Sequence, residues 1–394
     1  MKKHIKKILS LVVSKKYCLP ESWQFKNSGR VRLVDVRTLE ELSQHADAWN
    51  KLFNECKKVS SVLSYSWQSS FFKYKVESPE KWLCLFAYEN DRLIGVCPFV
   101  AGYSYRVLNI SLQLFKLPYN MAHTSGVDCL ALPGREDILG VFIDYLNQIP
   151  SGFPFLSFKF IPEHYTSMQY FSHYKSKMCV VRKPAGVENV IPIPESEEKY
   201  LATLSANFRK YLRKNLKKLE ALNEVRFTFR DTSLPPEENA LRFLEVEHSN
   251  WKGDKMSSLK ADQNNAAMFI EAAKKFTDAG MMDFNFIEAE GKTIAGQYAV
   301  QANRCLYVHK IGYDQDYLSC SPGNLLFNKL IEHHIASGEI DEVNVMADCA
   351  WHENWELEKR PLHHLIVFPQ IPVLSALIKK IIHSGKVHNF STKR

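Results

Sequence analysis

Four consecutive residues, Ser321-Pro322-Gly323-Asn324, have the types and order that open a helix and leave its first turn accessible to an anion. Serine is a favoured N-cap, and proline fits the first helical position, where its missing N–H costs nothing. Gly323 has no side chain, so a ligand can approach the backbone closely. Asn324 and Leu325 complete a first turn whose N–H groups and partial positive charge suit a pyrophosphate. The same residues also make an ordinary capped helix, so the motif needs its surroundings to specify a ligand.

Three side chains near this stretch are candidates for moving a proton. His309 alternates with Tyr307 and Ile311 along an expected strand, which places the three on one face; a satisfied structural histidine is the alternative. Asp314 follows that strand directly, and an Asx-turn is its competing role. Asp348 follows a second expected strand, at whose exit a carboxylate would line a cleft. Glu288 is a fourth candidate, acting through a water, though it is more easily explained as a solvated acid of the sheet edge. Trp251-Lys252, just past an expected helix, pairs an aromatic face with a cation, which suits sugar stacking or carboxylate binding as well as core packing. Trp351 and Trp355, four apart, would share one helical face, beside the cleft or in the core.

The elements that must position these groups fall into two loosely similar sets. Residues 31–181 open with a strand at 31–36 and a helical pattern at 39–58. Two apolar runs, 82–88 and 93–100, are joined by the polar turn Glu89-Asn90-Asp91-Arg92, a hairpin signal. Strands at 106–112 and 127–132, a helix at 136–148 and a strand at 154–160 follow. Residues 182–197 carry Pro184, Pro192 and Pro194 without strong periodicity and are expected to be a linker. A second set, residues 198–368, is entered on a long helix at 196–222 with Leu204, Phe208, Leu212, Leu216 and Leu219 in one apolar stripe. After it come a strand at 225–230, helices at 236–249 and 263–279, and strands at 283–289, 293–301 and 305–311, the first two joined by Glu290-Gly291. A helix at 324–337 and a strand at 342–346 close the set. Antiparallel strands followed by a strand–helix–strand unit predict an α+β fold, not a Rossmann domain.

At 394 residues the chain exceeds one typical core, and its 45% hydrophobic and 24% charged residues are those of a globular protein, not a disordered one. The net charge of +8 is concentrated at the ends: residues 1–16 hold six lysines and residues 371–394 five Lys/Arg, neither with an acid, so the body between them carries −3. Nine scattered cysteines, none in a CxxC pair, argue against a disulfide framework or a zinc site and fit reduced thiols; no bound metal is expected. The basic N-terminal segment 1–30 is too short in its apolar stretch for a signal peptide, and no run is long enough to span a bilayer. The expected location is the cytoplasm. Residues 369–394 form a basic amphipathic tail that, with the N-terminal lysines, could rest on the inner face of an anionic membrane or dock on the protein itself. No GxxxxGK[ST], HExxH, GxSxG or strand-following GxGxxG occurs, which disfavours P-loop hydrolysis, zinc proteolysis and α/β-hydrolase chemistry.

Four segments together resemble the GNAT acyltransferase superfamily, in its CelD-type, polysaccharide-associated branch related to the FemAB transferases. They are the basic helix 207–220, Glu247-His-Ser-Asn-Trp-Lys-Gly, the hairpin at 288–296, and Tyr313-Asp314 followed by Ser321-Pro-Gly. The resemblance covers residues 200–360 best and implies two GNAT-like domains, each a mixed, mostly antiparallel sheet flanked by helices, the first degenerate. It implies acyl transfer from acyl-CoA, acetyl-CoA or an acyl carrier protein to an amine or hydroxyl of a sugar or polysaccharide precursor. Ser321, Gly323, Asn324 and Leu325 would then hold the donor, Asp348, Asp314 and His309 would be the catalytic candidates, and Trp251, Lys252, Tyr313 and Trp355 would meet the acceptor. The family's Gln/Arg-x-x-Gly-x-Gly/Ala loop survives here only at Gly323. A silent binding or scaffold protein and aminoacyl transfer from tRNA are the alternatives. Arg209, Lys210, Arg213, Lys214, Lys217 and Lys218 could meet nucleic acid, but the absence of a coiled-coil arm disfavours tRNA.

Overall fold

A computed structural model describes residues 13–16, 31–76, 78–107, 110–118, 126–149, 153–174, 177–249, 258–346, 348–370, 375–376 and 379. The fold is built on one sheet. In the first half, β1 (Val13–Lys16) pairs with β4, and β2 (Val31–Val36), β3 (Trp82–Glu89), β4 (Arg92–Val107) and β5 (Ile110–Lys116) form an antiparallel run. The short β6 (Leu130–Ala131) also lies on β4, and β7 (Phe153–Pro162) pairs parallel with β5. In the second half, β9 (Arg226–Thr228), β10 (Met282–Ala289), β11 (Lys292–Ala302) and β12 (Cys305–Tyr313) repeat the antiparallel run, and β13 (Glu342–Asn344) pairs parallel with β12.

Two strands join the halves by exchange. β8 (Met178–Pro192) comes from the first half but pairs with β13 of the second; β14 (Glu358–Pro369) comes from the second half but pairs with β7 of the first. β8 and β14 pair with each other from Met178↔Pro369 to Val190↔Glu358. The resulting order is β2-β3-β4-β5-β7-β14-β8-β13-β12-β11-β10-β9.

This arrangement corrects the expected linker, because residues 182–192 lie at the centre of the sheet. Their loop-like composition has a local cause. Pro184 and Gly186 flank a bulge at which the register to β14 shifts, and Gly186 takes φ +113°, open to glycine at little cost. Proline there removes a donor where the ladder is already interrupted.

The hairpins expected at 82–100 and 283–301 form as such. Their turns, Asn90-Asp91 and Glu290-Gly291, place both central residues at positive φ, the geometry that follows the strand twist. Each hairpin carries a register shift just before its turn, at Ala87/Tyr88 and at Ile287/Glu288. The single helix expected at 196–222 is two, α6 (Glu197–Thr203) and α7 (Ala206–Glu220), because Ser205 stops one and caps the next by accepting from the Phe208 N–H at 3.1 Å. The pattern at 39–58 likewise splits into α1 (Leu39–Gln44) and α2 (Ala46–Glu55) at His45. The expectation omitted α3 (Tyr65–Lys75) and α5 (Thr166–His173), whereas α4 (Ile138–Gln148) was legible.

The other helices of the second half are α8 (Pro236–His248), α9 (Gln263–Asp278) and α10 (Pro322–Ser337). They lie on opposite faces of the sheet. α8 and α9 share a core with the first half, where Trp67 meets Phe269 edge-on at 5.5 Å. α7 and α10 cover the other face, burying Phe208, Leu212 and Leu219 against Leu325, Leu326 and Leu330 in a second core. Burial of such side chains contributes roughly 1.5–3 kcal/mol each, so these faces are fixed far more firmly than the surface between them.

Candidate active site

The sheet opens at one place in the second half. β12 and β13 pair only from Cys305↔Glu342 to Tyr307↔Asn344, so the rest of β12 leaves its neighbour. The corresponding first-half pair, β5 and β7, holds five consecutive partners, Leu112↔Phe153 to Lys116↔Ser157. A bulge accompanies the opening: Ala299 faces Val308 and Tyr298 faces Lys310, so His309 is the extra residue. The bulge reverses the alternation along β12. Ile311 and Tyr313 therefore join Leu306 and Val308 on the α10 face, and only Tyr307 keeps the face of His309. The expected single face for Tyr307, His309 and Ile311 fails for this reason.

Beyond β12 the chain makes a 3-10 turn, Gln315–Cys320, and enters α10 with Pro322 at its first position. Asp314 caps that turn, accepting from the Asp316 N–H at 3.0 Å. Ser321 departs from the expected cap: it sits at φ +52°, and its side chain makes no cap bond to α10. Its Oγ instead accepts from the Tyr211 hydroxyl at 2.6 Å and from Asn324 Nδ2 at 3.1 Å. Lys218 of α7 donates to the Ser319 carbonyl at 2.9 Å. Gly323 lies over the end of β12, where an added Cβ would meet Tyr313 at 3.4 Å and Ile311 at 3.9 Å, ordinary contacts. The Leu325 side chain is buried, so only its backbone belongs to this turn.

The exit of β13 carries a second polar group. Asn189 of β8 donates through Nδ2 to Asp348 Oδ1 at 2.9 Å and to His352 Nδ1 at 2.8 Å. The Cys349 N–H also points at His352 Nδ1, at 3.2 Å. His352 is buried, and that burial pulls its pKa down to about 4 although Asp348 acts in the opposite direction. Asp348 itself is half-exposed, with Lys359 Nζ at 3.9 Å.

Aromatic side chains tie this group to the helix start. Trp351 and Trp355 both meet Phe327 of α10 edge-on, at 5.2 and 4.9 Å. Trp355 also meets Phe208 of α7 at 5.0 Å, and Phe208 stacks on Tyr211, the residue bonded to Ser321. His352, joined to Asp348 through Asn189, packs on Trp351 and is thus linked through successive rings to Tyr211 and the first turn of α10. Trp355 is 5% exposed and fills the core between α7 and α10, which corrects its expected role as an acceptor platform.

His309 is placed elsewhere. Its Nε2 lies 2.8 Å from Ser61 Oγ of the first half, and its ring packs on Trp67 at 4.9 Å. Burial, followed by the nearby charge of Lys310, lowers its pKa to about 3, so it is a neutral structural histidine between the halves and not the base expected from its position. Glu288 is held by Arg226 and Arg242, the latter at 2.6 Å, as a structural acid of the sheet edge. Trp251 and Lys252 lie outside the described residues. Asn189, His352 and Tyr211 were not singled out from sequence, and Lys218 only as part of a basic helix face. Asn189 stood inside the supposed linker, and the others become neighbours of the site only through the fold.

Residues 206–352 match the family model described as an acetyltransferase (GNAT) domain. That span runs from α7 through β13 to His352 and includes the opened strands, the first turn of α10 and Asp348. No curated protein matches the sequence. Among solved structures, FemX aligns over 88% of this chain and 99% of its own with TM-score 0.54 at 9% identity. A conserved protein of unknown function from Bacteroides thetaiotaomicron covers 86% of this chain and 99% of its own, with TM-score 0.51 at 12% identity. The C-terminal domain of a proposed lysylphosphatidylglycerol synthetase from Agrobacterium fabrum covers 88% and 97%, with TM-score 0.52 at 9% identity. At these identities the likeness concerns the fold, and it spans both halves. The chain has an α+β fold of two GNAT-like units, and residues 206–352 in its second half resemble a GNAT acetyltransferase domain.

Among the described residues no helix is long and apolar enough to cross a membrane, and no group of three or more His, Cys, Asp or Glu could hold a metal ion.

Proposed function

We propose that this protein transfers an acyl group from an acyl thioester, acyl-CoA or an acyl carrier, to an amine or hydroxyl of a sugar or polysaccharide precursor. The observation that carries the proposal is the parting of β12 from β13 beside an α10 whose first turn the Ser321 side chain leaves uncapped, with Asp348 at the other strand's exit. Backbone N–H groups in that first turn suit the donor's pyrophosphate, and Tyr211, Asn324 and Lys218 shape its approach. Tyr313, beside Gly323, would meet the acceptor. The acceptor attacks the thioester directly, so no covalent enzyme intermediate is needed; Asp348 takes its proton.

The first half supports a shaping role and not a second reaction. The start of α4 follows Glu136 and Asp137, whose charges repel a phosphate, and a Cβ on Gly95 would lie 2.5 Å from Ile138, so that helix start is packed shut against the sheet. Gly323→Phe is expected to weaken acetyl-CoA binding by about 10²-fold or more in calorimetry, whereas Gly323→Ala, which meets only ordinary contacts, keeps the fold. Unchanged affinity in the Phe variant would remove the donor site from α10. A second reading, aminoacyl transfer from tRNA, draws on the exposed Arg213, Lys214, Lys217 and Lys218 of α7. It predicts salt-dependent RNA binding that is lost when Arg209, Arg213 and Lys217 are neutralised.

A further inference from the structure

We infer that His352 is a catalytic hydrogen-bond donor whose Nε2–H holds the oxyanion formed on the acyl carbonyl, with Asn189 as the positioning residue that joins it to Asp348. This role rests on the acyl-transfer proposal above and deepens it.

The tautomer follows from the partners of Nδ1. Two N–H groups converge on that nitrogen, the Asn189 amide at 2.8 Å and the Cys349 backbone at 3.2 Å. A nitrogen that accepts from two donors carries no proton, so the neutral ring holds its proton on Nε2. Turning the Asn189 amide over does not rescue the other tautomer. It would set the carbonyl oxygen 2.9 Å from the Asp348 carboxylate, and the Cys349 N–H would still face Nδ1.

His352 is only 4% exposed, and its Nε2–H meets no partner among the described residues. Nε2 is not one of the buried polar atoms left without a partner, so this donor reaches the surface of the site and can meet an acceptor brought by a ligand. The Asn189 amide has two hydrogens, one for each neighbour, so it fixes an acceptor, Asp348, beside a donor, His352. Attack on a thioester needs such a pair. As the acceptor's nitrogen or oxygen bonds to the carbonyl carbon, its proton passes to the Asp348 carboxylate. The carbonyl electron pair moves to oxygen, where Nε2–H meets it. Collapse breaks the C–S bond, and the departing thiolate takes the proton from Asp348. Trp351, whose ring lies 4.2 Å from that of His352, anchors the segment to Phe327 of the donor helix.

The test uses the full chain with 15N-labelled histidine, the His352→Gln variant identifying the signals of His352. In the free protein an Nε2–H with an unprotonated Nδ1 is expected, and an Nδ1–H tautomer overturns the assignment without touching the donor proposal. Adding acetyl-CoA should move the Nε2–H signal, and CoA, which lacks the acyl carbonyl, should not. Equal responses to the two overturn the catalytic role. Failure of acetyl-CoA to bind in calorimetry overturns the acetyl-CoA form of the donor proposal and this role with it, a result separable from the tautomer. With the acceptor that supports turnover, His352→Ala should lower kcat about 10²-fold at near-constant KM for the donor. A change confined to KM overturns the role.

Discussion

Asp348→Asn is expected to lower kcat by about 10²–10⁴-fold while leaving donor affinity and melting temperature near those of the parent. The substitution keeps the size of the side chain and an oxygen that can accept from Asn189 Nδ2, so the bridge at 2.9 Å survives. Half-exposed and paired with Lys359 only at 3.9 Å, the carboxylate contributes little to stability; exposed pairs are typically worth under about 1 kcal/mol. In the proposed reaction, what is lost is the acceptor for the nucleophile's proton. Rates measured across pH with a saturating donor check this. A variant with full turnover would move the base elsewhere, and a variant that loses donor affinity would make Asp348 a binding residue.

A large effect is also expected on stability in mild acid, with His309 as its strongest single source. Its folded-state pKa of about 3 lies below the ordinary 6.5, because burial removes the charged form from water. As pH falls through 6.5 the unfolded chain takes up a proton that the folded chain refuses. Stability is therefore full above 6.5 and is lost progressively toward 3, by about 1.4 kcal/mol per pH unit from this residue. His334, His352 and His364, each lowered to about 4 mainly by burial, act in the same direction. Asp128, raised to about 7 by burial, and Asp283, also raised, act against them, since the folded chain then holds a proton that the unfolded one has released. His309→Gln can keep a hydrogen bond to Ser61 without titrating. Denaturant unfolding between pH 7 and pH 5 should give this variant a shallower pH slope than the parent; parallel slopes would show that His309 is not the source.

The parts of the fold that were legible are those in which local chemistry and the final structure agree. Glu290-Gly291 and Asn90-Asp91 suit turns with positive φ, and the strands beside them pair as expected. The stripe from Phe208 to Leu219 reports the buried face of α7, though Ser205 divides what periodicity alone joins. Where distant partners decide, local pattern misleads. Pro184 and Gly186 look like a linker because nothing near them shows that β14 will pair across them. The face of Ile311 was lost through one extra residue, His309, which no alternation rule locates. At the site, Asp348 and the 321–324 turn were legible as a strand exit and a helix start. Asn189 and His352 were not, because an amide from one half and an imidazole from the other meet only after the strands exchange.

That exchange has a consequence for how the protein is made. On a ribosome the first half emerges with its helices and β2 to β7 complete, but the outer edge of β7 lacks a partner until residues 358–369 have been synthesised. β8 emerges with it and awaits both β13 and β14. An uncovered strand edge is a template for pairing with other chains, so the nascent first half is the aggregation-prone species and a natural client for a chaperone. Truncation late in the gene would therefore damage the beginning of the protein as much as its end.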